Sequence, residues 1–355
     1  MNAPTSDLGE FDLIRRYFQR HEAQRDALNV VQHDALRDAQ HGVMLGIGDD
    51  AAVLRLPEGS DLVAAVDTLV AGRHFPVRTA ARSIGYRALA VNLSDLAAMG
   101  ATPAWATLAL TMPSADGQWL QEFSNGLFDI AQQHGVILVG GDTTRGPLTV
   151  SVQILGSVPR GAALRRGGAS AGDLLVVSGT LGDSGAGLHF ASAAAGDVDR
   201  SGARGGAVDA LIRRFDYPSP RVQLGLAARG VASAGMDISD GLTGDLPKLA
   251  AASGLHAHVN VERLPLSTAL RAAVDAAQAR EWALSAGDDY ELLLAASSVN
   301  YPKLEAAARQ LNLTLTIIGE LSSGSGVSWS FDGADYTAAA SGFDHFGQAS
   351  TQITV

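Results

Sequence analysis

The apolar positions in the first half of the chain switch between strand and helix periodicities. Strand patterns occur at Leu62–Val66, Trp105–Met112, Val136–Val139 and Leu148–Val158. Helical spacing occurs over Thr79–Leu96 and in the stripe Trp119, Phe123, Leu127 and Ile130. A helical arm is predicted over residues 1–40, with an apolar face of Leu13, Ile14, Tyr17 and Phe18. Strands that alternate with helices predict an α/β or α+β architecture.

The second half repeats this alternation after a segment rich in glycine and arginine, Pro159–Asp173, which we predict to link two domains. The predicted domains are therefore residues 1–158 and residues 159–355. Strand patterns follow at Leu174–Val177, near Val259 and Val261, at Glu291–Ala295 and at Leu313–Ile318. Residues 192–208 are low in complexity and are predicted to form a loop. Ser219 and Pro220 are predicted to open a helix as its N-cap and first-turn proline.

Composition narrows the possible functions. The 355 residues are 46% hydrophobic, which is enough for two domain cores, and the net charge of −11 argues against a nucleic-acid or anionic-membrane surface. The chain has no cysteine, so disulfides, thiolate metal sites and cysteine nucleophiles are excluded. It has no apolar run of the roughly 20 residues needed for a membrane span, and its N-terminus lacks the apolar core of a signal peptide. We therefore expect a soluble, cytoplasmic protein.

Acidic residues recur in loops that are flanked by glycine or serine and follow apolar runs. They are Asp49, Asp50, Asp67, Asp95, Asp142, Asp183, Asp237, Asp240, Asp245, Asp288, Asp289 and Glu291. Each one alone is explained by a helix cap or a turn. Several carboxylates that converge on one site repel each other unless cations neutralise them, and hard oxygen ligands favour Mg²⁺ or Mn²⁺. Because Mg²⁺ is usually shared with substrate phosphates, the set suggests phosphoryl transfer.

The groups that would hold phosphates are also restricted. No Walker-A motif is present, and the only lysines are Lys248 and Lys303. Phosphate charge would then be met by metal ions, arginines and the backbone N–H groups of the loops GGDTTRG and GTLGDSGAG. Candidate counter-charges are Arg145, Arg165 and Arg166, although each alone is an ordinary surface arginine. His74 is either a half-buried structural histidine or a hydrogen-bond donor to a phosphate, and His345 is predicted to be a packing residue.

A resemblance joins these motifs. GEFDLIRRYF, GIGDDAAVL, DTLVAGRHF, NLSDLAAMGATPAW, GGDTTRGPL, the stretch Pro218–Arg221, DISDGL and DYEL occur in the order typical of the thiamine-monophosphate kinase family. The match runs from about Gly9 to Phe346, and the wider superfamily includes aminoimidazole ribonucleotide synthetase, selenophosphate synthetase and the hydrogenase-maturation ATPase. The resemblance implies an N-terminal α/β domain that binds ATP and forms a barrel across a homodimer, followed by a C-terminal α+β domain.

The resemblance also implies roles for individual residues. Implied ligands of several Mg²⁺ ions are Asp49, Asp67, Asp95, Asp142, Asp237 and Asp240. Implied ATP contacts are Gly141, Asp142, Arg166 and Ser239, and implied contacts to thiamine monophosphate are His74, Asp288 and Phe343. The chain departs from the family pattern in three places: Ala65 and Val66 replace Ser and Thr, AGDDYEL replaces GGEDYEL, and Phe343 replaces a common Tyr.

The reaction implied by this resemblance is direct in-line phosphorylation of thiamine monophosphate by ATP, the last step of thiamine diphosphate synthesis. The phosphate nucleophile is already ionised near neutral pH, so no covalent intermediate is needed. Two alternatives remain open from the sequence. One is another ATP-dependent synthetase of the superfamily, and the other is a regulator that binds nucleotide or thiamine phosphate without turnover.

Overall fold

The chain folds into two compact units. The computed structural model describes residues 9–19, 42–193 and 201–338. The first unit holds residues 9–19, 42–93 and 102–161, and the second holds residues 94–101, 162–193 and 201–338. The predicted two-domain α/β architecture is confirmed. The boundary between residues 158 and 159, and the role of each domain, stay predictions.

The first unit combines two long helices with an open sheet. Its helices are α1 (Glu10–Leu13), α2 (Ala81–Ala98) and α3 (Gly117–His134), and a π-helical turn (Ile14–Phe18) follows α1. Its strands are β1 (Val43–Leu45), β2 (Val53–Leu54), β3 (Ser60–Val70), β4 (Thr102–Met112), β5 (Ile137–Arg145) and β6 (Thr149–Pro159). The last turn of α2, from Ser94, is counted with the second unit.

Four of these strands form one sheet in the order β3-β6-β4-β5. The strands β4 and β5 are parallel, whereas the other two pairs are antiparallel. One face is packed by the helices, since Leu89 of α2, Leu127 of α3 and Val152 of β6 surround one small internal void. Within the described residues the sheet is not closed on itself, and β3 and β5 are its edges.

The second unit is built on a larger sheet. Its strands are β7 (Leu174–Ser178), β8 (Ala234–Ile238), β9 (Leu255–Asn260), β10 (Glu291–Ala296), β11 (Leu315–Ser323), β12 (Gly326–Phe331) and β13 (Ala334–Tyr336). They pair in the order β13-β12-β9-β11-β7-β10-β8. Its helices are α4 (Asp183–Ser192), α5 (Gly202–Asp216), α6 (Val222–Ala228), α7 (Leu242–Ser253), α8 (Thr268–Ala273), α9 (Ala276–Ser285) and α10 (Tyr301–Gln310).

Strands β8 and β10, which lead into or out of the predicted site loops DISDG and AGDDYEL, are the most buried strands of the second unit. Every residue of β8 and β10 is buried, which fits their nearly continuous apolar sequences. Leu242 and Leu246 of α7 pack in one core cluster with Met236 and Ile238 of β8. The C-terminal end of β8 is therefore held firmly, and the loop that follows it carries Ser239 and Asp240.

The structure corrects several of the predicted elements. The segment GGDTTRG, predicted as a loop, lies almost entirely in the edge strand β5. Residues 202–208 belong to helix α5, because Val208 and Leu211 face an apolar cluster that the glycine-rich sequence did not reveal. Helix α6 begins at Val222 with Arg221 as its N-cap, two residues after the predicted start at Ser219 and Pro220. Val261 lies in a 3₁₀ turn (Val261–Arg263) after β9 and not in a strand.

The N-terminal arm is confirmed where the structure describes it. Leu13, Tyr17 and Phe18 are buried, and Phe18 packs edge-on against Phe123 of α3 with ring centroids 6.4 Å apart. The rest of the predicted arm lies outside the described residues, as does His345. Across the described ranges, none of the helices is both long and apolar enough to cross a lipid bilayer.

Candidate functional site

A cavity of about 610 Å³ in the first unit collects several of the predicted residues. It lies between the arm, the loop after β1 and the edge strand β5. Asp49, Gly141 and Asp142 all line it, although Asp49 and Asp142 are more than 90 residues apart in the chain. We call this space the N-terminal cavity.

The backbone of β5 comes unusually close to β4 at this cavity. Gly141 has φ +154°, and a Cβ there would lie 1.9 Å from the main-chain oxygen of Leu108. Only glycine fits such a contact, so this position follows from backbone packing. Gly140 and Gly141, which carry no side chains, therefore precede Asp142 along the cavity wall.

Asp67 does not share this cavity. It pairs with Val152 across β3 and β6, Val152 pairs with Leu108, and Leu108 pairs with Gly141. Asp67 and Gly141 thus occupy the same row at opposite edges of the sheet, three strand spacings or about 14 Å apart. Within one chain, Asp67 and Asp142 are therefore too far apart to share one metal ion.

His74 lies in a tight turn that follows β3. Its backbone N–H donates to the Val70 carbonyl oxygen at 2.9 Å, and its ring Nδ1 accepts from the Val70 N–H at 2.9 Å. Because Nδ1 acts as an acceptor, the neutral ring carries its proton on Nε2. The predicted role of His74 as a hydrogen-bond donor to phosphate is chemically consistent with this tautomer.

In the second unit, the end of α2 meets the end of β8. The Ser94 hydroxyl donates to Asp237 Oδ2 at 2.7 Å, and Asp237 is buried. Asp95 follows Ser94 directly and is half-buried. The hydrogen bond therefore brings together the segments that carry the predicted ligands Asp95 and Asp237, which are far apart in sequence.

Asp240 has a cationic partner that the sequence did not predict. Lys248 Nζ lies 2.7 Å from Asp240 Oδ2 and 2.9 Å from Asp245 Oδ1. Burial lowers the pKa of Lys248, but the hydrogen bonds to both carboxylates outweigh it and the pKa is raised. Asp245 itself is buried and also accepts the N–H groups of Ser239 and Asp240 at 2.9 Å each. Burial raises the pKa of Asp245 despite these contacts.

The turn that carries Asp288 packs against the same loop. The Asp288 N–H donates to the Ser239 carbonyl oxygen at 2.8 Å. A Cβ at Gly287 would lie 2.2 Å from that oxygen, so the approach requires glycine. The segments DISDG and AGDDYEL are therefore packed against each other, which places Asp240 and Asp288 on neighbouring stretches of chain.

In the predicted phosphate-binding loop GTLGDSGAG, two backbone N–H groups already bind a carboxylate of the protein. The Gly182 and Ser184 N–H groups of GTLGDSGAG donate to the buried carboxylate of Asp289, at 2.6 and 3.2 Å. Burial raises the pKa of Asp289 well above its ordinary value, although these donors and Arg214 oppose the shift. The prediction that this loop offers N–H groups to a phosphate is wrong, because an internal carboxylate occupies the start of helix α4.

Comparisons with known proteins agree with this arrangement. Residues 48–158 match the family model of AIR synthase related protein, N-terminal domain, and residues 170–330 match that of AIR synthase related protein, C-terminal domain. The thiamine-monophosphate kinase of Salmonella typhimurium is 44% identical over 339 residues, which cover 95% of this chain and 98% of that protein. The chain belongs to the thiamine-monophosphate kinase family.

Solved structures of this family have the same fold. The crystal structure of the thiamine-monophosphate kinase from Stenotrophomonas maltophilia K279a is 46% identical, with a TM-score of 0.77 over 84% of this chain and 95% of that one. A second structure, AaThiL complexed with AMPPCP and TMP, is 29% identical, with a TM-score of 0.72 over 97% of this chain and 99% of that one. The chain is therefore a kinase of this fold.

The aspartates of the N-terminal cavity are candidate ligands for the magnesium that the family resemblance implies. Asp49 and Asp142 are exposed, and both line the N-terminal cavity together with Arg15. In neither unit do three described carboxylate or imidazole side chains form a ready metal cluster. Three aspartates, Asp49, Asp50 and Asp142, line the cavity. Such a lining fits Mg²⁺, which usually takes one or two carboxylates and completes its shell with water and phosphate oxygens.

The remaining sites predicted from the family resemblance are dispersed. Arg166 is exposed, and its carbonyl oxygen accepts from the Ser253 hydroxyl at 3.2 Å. Phe343 lies outside the described residues. The sequence did not identify Arg15, which lines the N-terminal cavity from the π-helical turn. Arg15 belongs to the motif GEFDLIRRYF, which was the signal available in the sequence. In the structure it lies in a π-helical turn, and such turns are frequent at functional sites.

Proposed function

We propose that this thiamine-monophosphate kinase transfers the γ-phosphoryl group of ATP directly to thiamine monophosphate, in line and without a covalent intermediate. Phosphorylation of thiamine monophosphate with ATP follows from family membership at 44% identity. The relative that holds AMPPCP and TMP together supports a site that binds both ligands at once. Simultaneous binding is what direct transfer requires, because donor and acceptor must meet in one complex.

The N-terminal cavity is the observation that carries the proposal. Asp49 and Asp142 supply oxygen ligands to it, and Arg15 supplies a cation. Bound Mg²⁺ would reduce the repulsion between phosphates and polarise the transferred group. Asp67, Asp95, Asp237 and Asp240 are proposed as the other ligands. For Asp240 this requires Lys248 to share or release its carboxylate.

The protein groups proposed to bind the nucleotide and substrate act by position and charge. Gly141 lines the N-terminal cavity and is proposed as an ATP contact, with Arg166 and Ser239 as further ATP contacts. His74 would donate from Nε2 to the phosphate of thiamine monophosphate. Asp288 and Phe343 would contact the thiamine moiety. The attacking phosphate oxygen is already ionised, so none of these residues has to act as a general base.

We further propose a homodimer in which the open sheet closes as a barrel with that of a second copy. On the edge strand β3, Leu62, Ala64 and Val66 are exposed on one face, with Leu62 at 52% and Val66 at 63% exposure. Such an apolar row on an unpaired edge is a surface that proteins usually cover. A second copy at both edges would also allow Asp67 and Asp142 to bind ions together with side chains of that copy. The cytoplasmic location stays a prediction.

Product identification after incubation with Mg²⁺, ATP and thiamine monophosphate tests the proposed reaction. The wild type should form thiamine diphosphate and ADP in equal amounts. Asp142→Asn keeps the size of the side chain and removes its charge. We expect turnover to fall by about 100-fold, with partial recovery at higher Mg²⁺ concentration, because a metal ligand is weakened.

The matched control is Asp129→Asn in helix α3. Asp129 is exposed and pairs with Arg82 at 2.5 Å, away from the cavity lining. This variant should keep wild-type turnover, since exposed ion pairs contribute little. If Asp142→Asn also keeps turnover within about threefold of the wild type, the assignment of Asp142 as a metal ligand is wrong. ADP release only with a different acceptor would favour another synthetase of the superfamily.

A further inference from the structure

Two residues of the turn before β10 adopt a backbone conformation that L-amino acids avoid. Asp288 has φ +70° and Tyr290 has φ +51°. Left-handed conformations of residues other than glycine persist only where the surrounding structure enforces them, and they cluster at ligand sites. The residues that enforce this turn are therefore part of how Asp288 is presented.

A buried ionic frame lies directly behind the turn. The Asp289 carboxylate is bound by the first turn of α4, as described above, and Arg214 Nη2 donates to the Asp289 carbonyl oxygen at 2.7 Å. Arg214 also binds Glu291 Oε1 at 2.8 Å, and Arg221 Nε binds Glu291 Oε2 at 2.7 Å. Asp289 and Glu291 are fully buried. Because side chains at 289 and 291 are anchored, the residues between and before them have little freedom.

The front of the turn is fixed as well. The Tyr290 N–H donates to the Ile238 carbonyl oxygen at 2.9 Å, next to the Asp288 contact with Ser239. The Tyr290 hydroxyl then donates to Asp288 Oδ1 at 3.0 Å. Tyr290 is 8% exposed, so its ring is a firm support for this hydrogen bond. One carboxylate oxygen of Asp288 is thus held from its own turn, which fixes the direction of the other.

We propose that Tyr290 is a positioning residue for substrate, whose hydroxyl presets the Asp288 carboxylate toward the thiamine moiety while the buried frame holds both residues in place. The thiazolium ring of thiamine carries a positive charge, and a preset carboxylate attracts it without first losing side-chain freedom. This inference rests on the proposed contact between Asp288 and thiamine monophosphate.

Steady-state kinetics of Tyr290→Phe test the inference. This variant keeps the ring and removes only the hydroxyl. We expect KM for thiamine monophosphate to rise about fivefold, whereas kcat and KM for ATP stay within about twofold of the wild type. The melting temperature should change little, because the frame behind the turn is intact. Tyr301→Phe in helix α10 is the matched control and should leave all three kinetic parameters unchanged.

A double-mutant cycle with Asp288→Asn separates positioning from a general structural effect. Asp288→Asn alone should raise KM for thiamine monophosphate, and adding Tyr290→Phe should then change it by less than about twofold. A full additional effect of Tyr290→Phe in the Asp288→Asn background would overturn the inference. So would an unchanged KM in Tyr290→Phe when Asp288→Asn raises it, and in that case the proposed function would survive. If Asp288→Asn itself leaves KM unchanged, both the substrate contact and the inference fail.

Discussion

At the scale of single residues, charge pairing divides the predicted aspartates into two kinds. Asp49 and Asp142 face an open cavity, whereas Asp245 is buried and is satisfied by Lys248 and two backbone N–H groups. Asp245 therefore stabilises the loop that carries Ser239 and Asp240. The same type of residue in the same kind of motif is proposed to bind metal in one place and stabilises the fold in the other.

Lys248→Met should expose this structural role. It removes the cation and leaves Asp245 buried, so we expect the free energy of unfolding at about pH 7.5 to fall by about 2 kcal/mol. The raised pKa of Asp245 means that the folded state binds its proton more tightly than the unfolded chain. The stability from Asp245 is thus largest below its unfolded pKa of about 4, and it is lost as the pH rises through the folded pKa.

Without Lys248 the pKa of Asp245 should rise further. The loss of unfolding free energy in the variant should therefore be small near pH 4, which is about the unfolded pKa of Asp245, because the carboxyl is then protonated in both proteins. This loss should reach its full size near neutral pH. Urea unfolding at several pH values measures this difference. Lys303→Met changes the only other lysine, whose Nζ contacts Asn300 Oδ1 at 3.2 Å, and it should stay within about 0.5 kcal/mol of the wild type at every pH. A deficit of Lys248→Met that is equal at all pH values would contradict the role of Asp245.

At the scale of elements, one buried carboxylate joins three pieces of secondary structure. Glu291 at the start of β10 binds Arg214 of α5, Arg221 at the start of α6 and the Ser178 hydroxyl of β7 at 2.5 Å. Burial lowers the pKa of Arg221, but the Glu291 carboxylate outweighs burial and the pKa is raised. The side chain of Arg221 thereby links the N-cap of α6 to β10.

Glu291→Gln should therefore destabilise the second unit strongly. The neutral amide leaves two largely buried arginines without their counter-charge, and we expect a loss of about 3 kcal/mol in the free energy of unfolding. Denaturant unfolding followed by circular dichroism gives this value. Glu305→Gln on helix α10 is the control, since Glu305 pairs with exposed Arg309 at 2.9 Å and should contribute less than about 0.5 kcal/mol. Equal losses in the two variants would mean that the frame contributes no more than a surface pair.

At the scale of the whole molecule, the open sheet of the first unit is the feature that a single chain leaves incomplete. Its packed face buries Val150, Val152 and Ile154 of β6, while the opposite face keeps Leu62 and Val66 exposed. It also leaves Asp67 and Asp142 at opposite edges. A second copy offers one explanation for both observations.

Leu62→Glu tests this explanation. A charge in the middle of an apolar interface should dissociate the proposed dimer, because burying an unpaired carboxylate costs several kcal/mol. Analytical ultracentrifugation should give the mass of a dimer for the wild type and that of a monomer for the variant. Val299→Glu places the same charge on a more exposed valine in the second unit and should leave the mass unchanged. A Leu62→Glu protein that still sediments as a dimer would rule out this face as the interface.

The sequence by itself determined the order of most elements and the family. Periodic segments such as β4 and α2 were predicted close to their observed bounds, because alternation and helical spacing reflect which face is buried. Strand β3 was predicted only over Leu62–Val66, less than half of its observed length of 11 residues. Glycine-rich α5 was missed, since its helix is stabilised by packing of Val208 and Leu211 and not by intrinsic propensity. The motifs also identified the family, because their residues and their order along the chain are specific.

Only the tertiary structure decided what each charged side chain meets. It placed Asp49 and Asp142 in one cavity and Asp67 at the far edge of the sheet, and it filled the GTLGDSGAG loop with the carboxylate of Asp289. It also showed that Asp240 pairs with Lys248 and that Asp288 accepts a hydrogen bond from Tyr290. Such partners come from distant parts of the chain, and local periodicity carries no information about contacts that strand pairing and helix packing create.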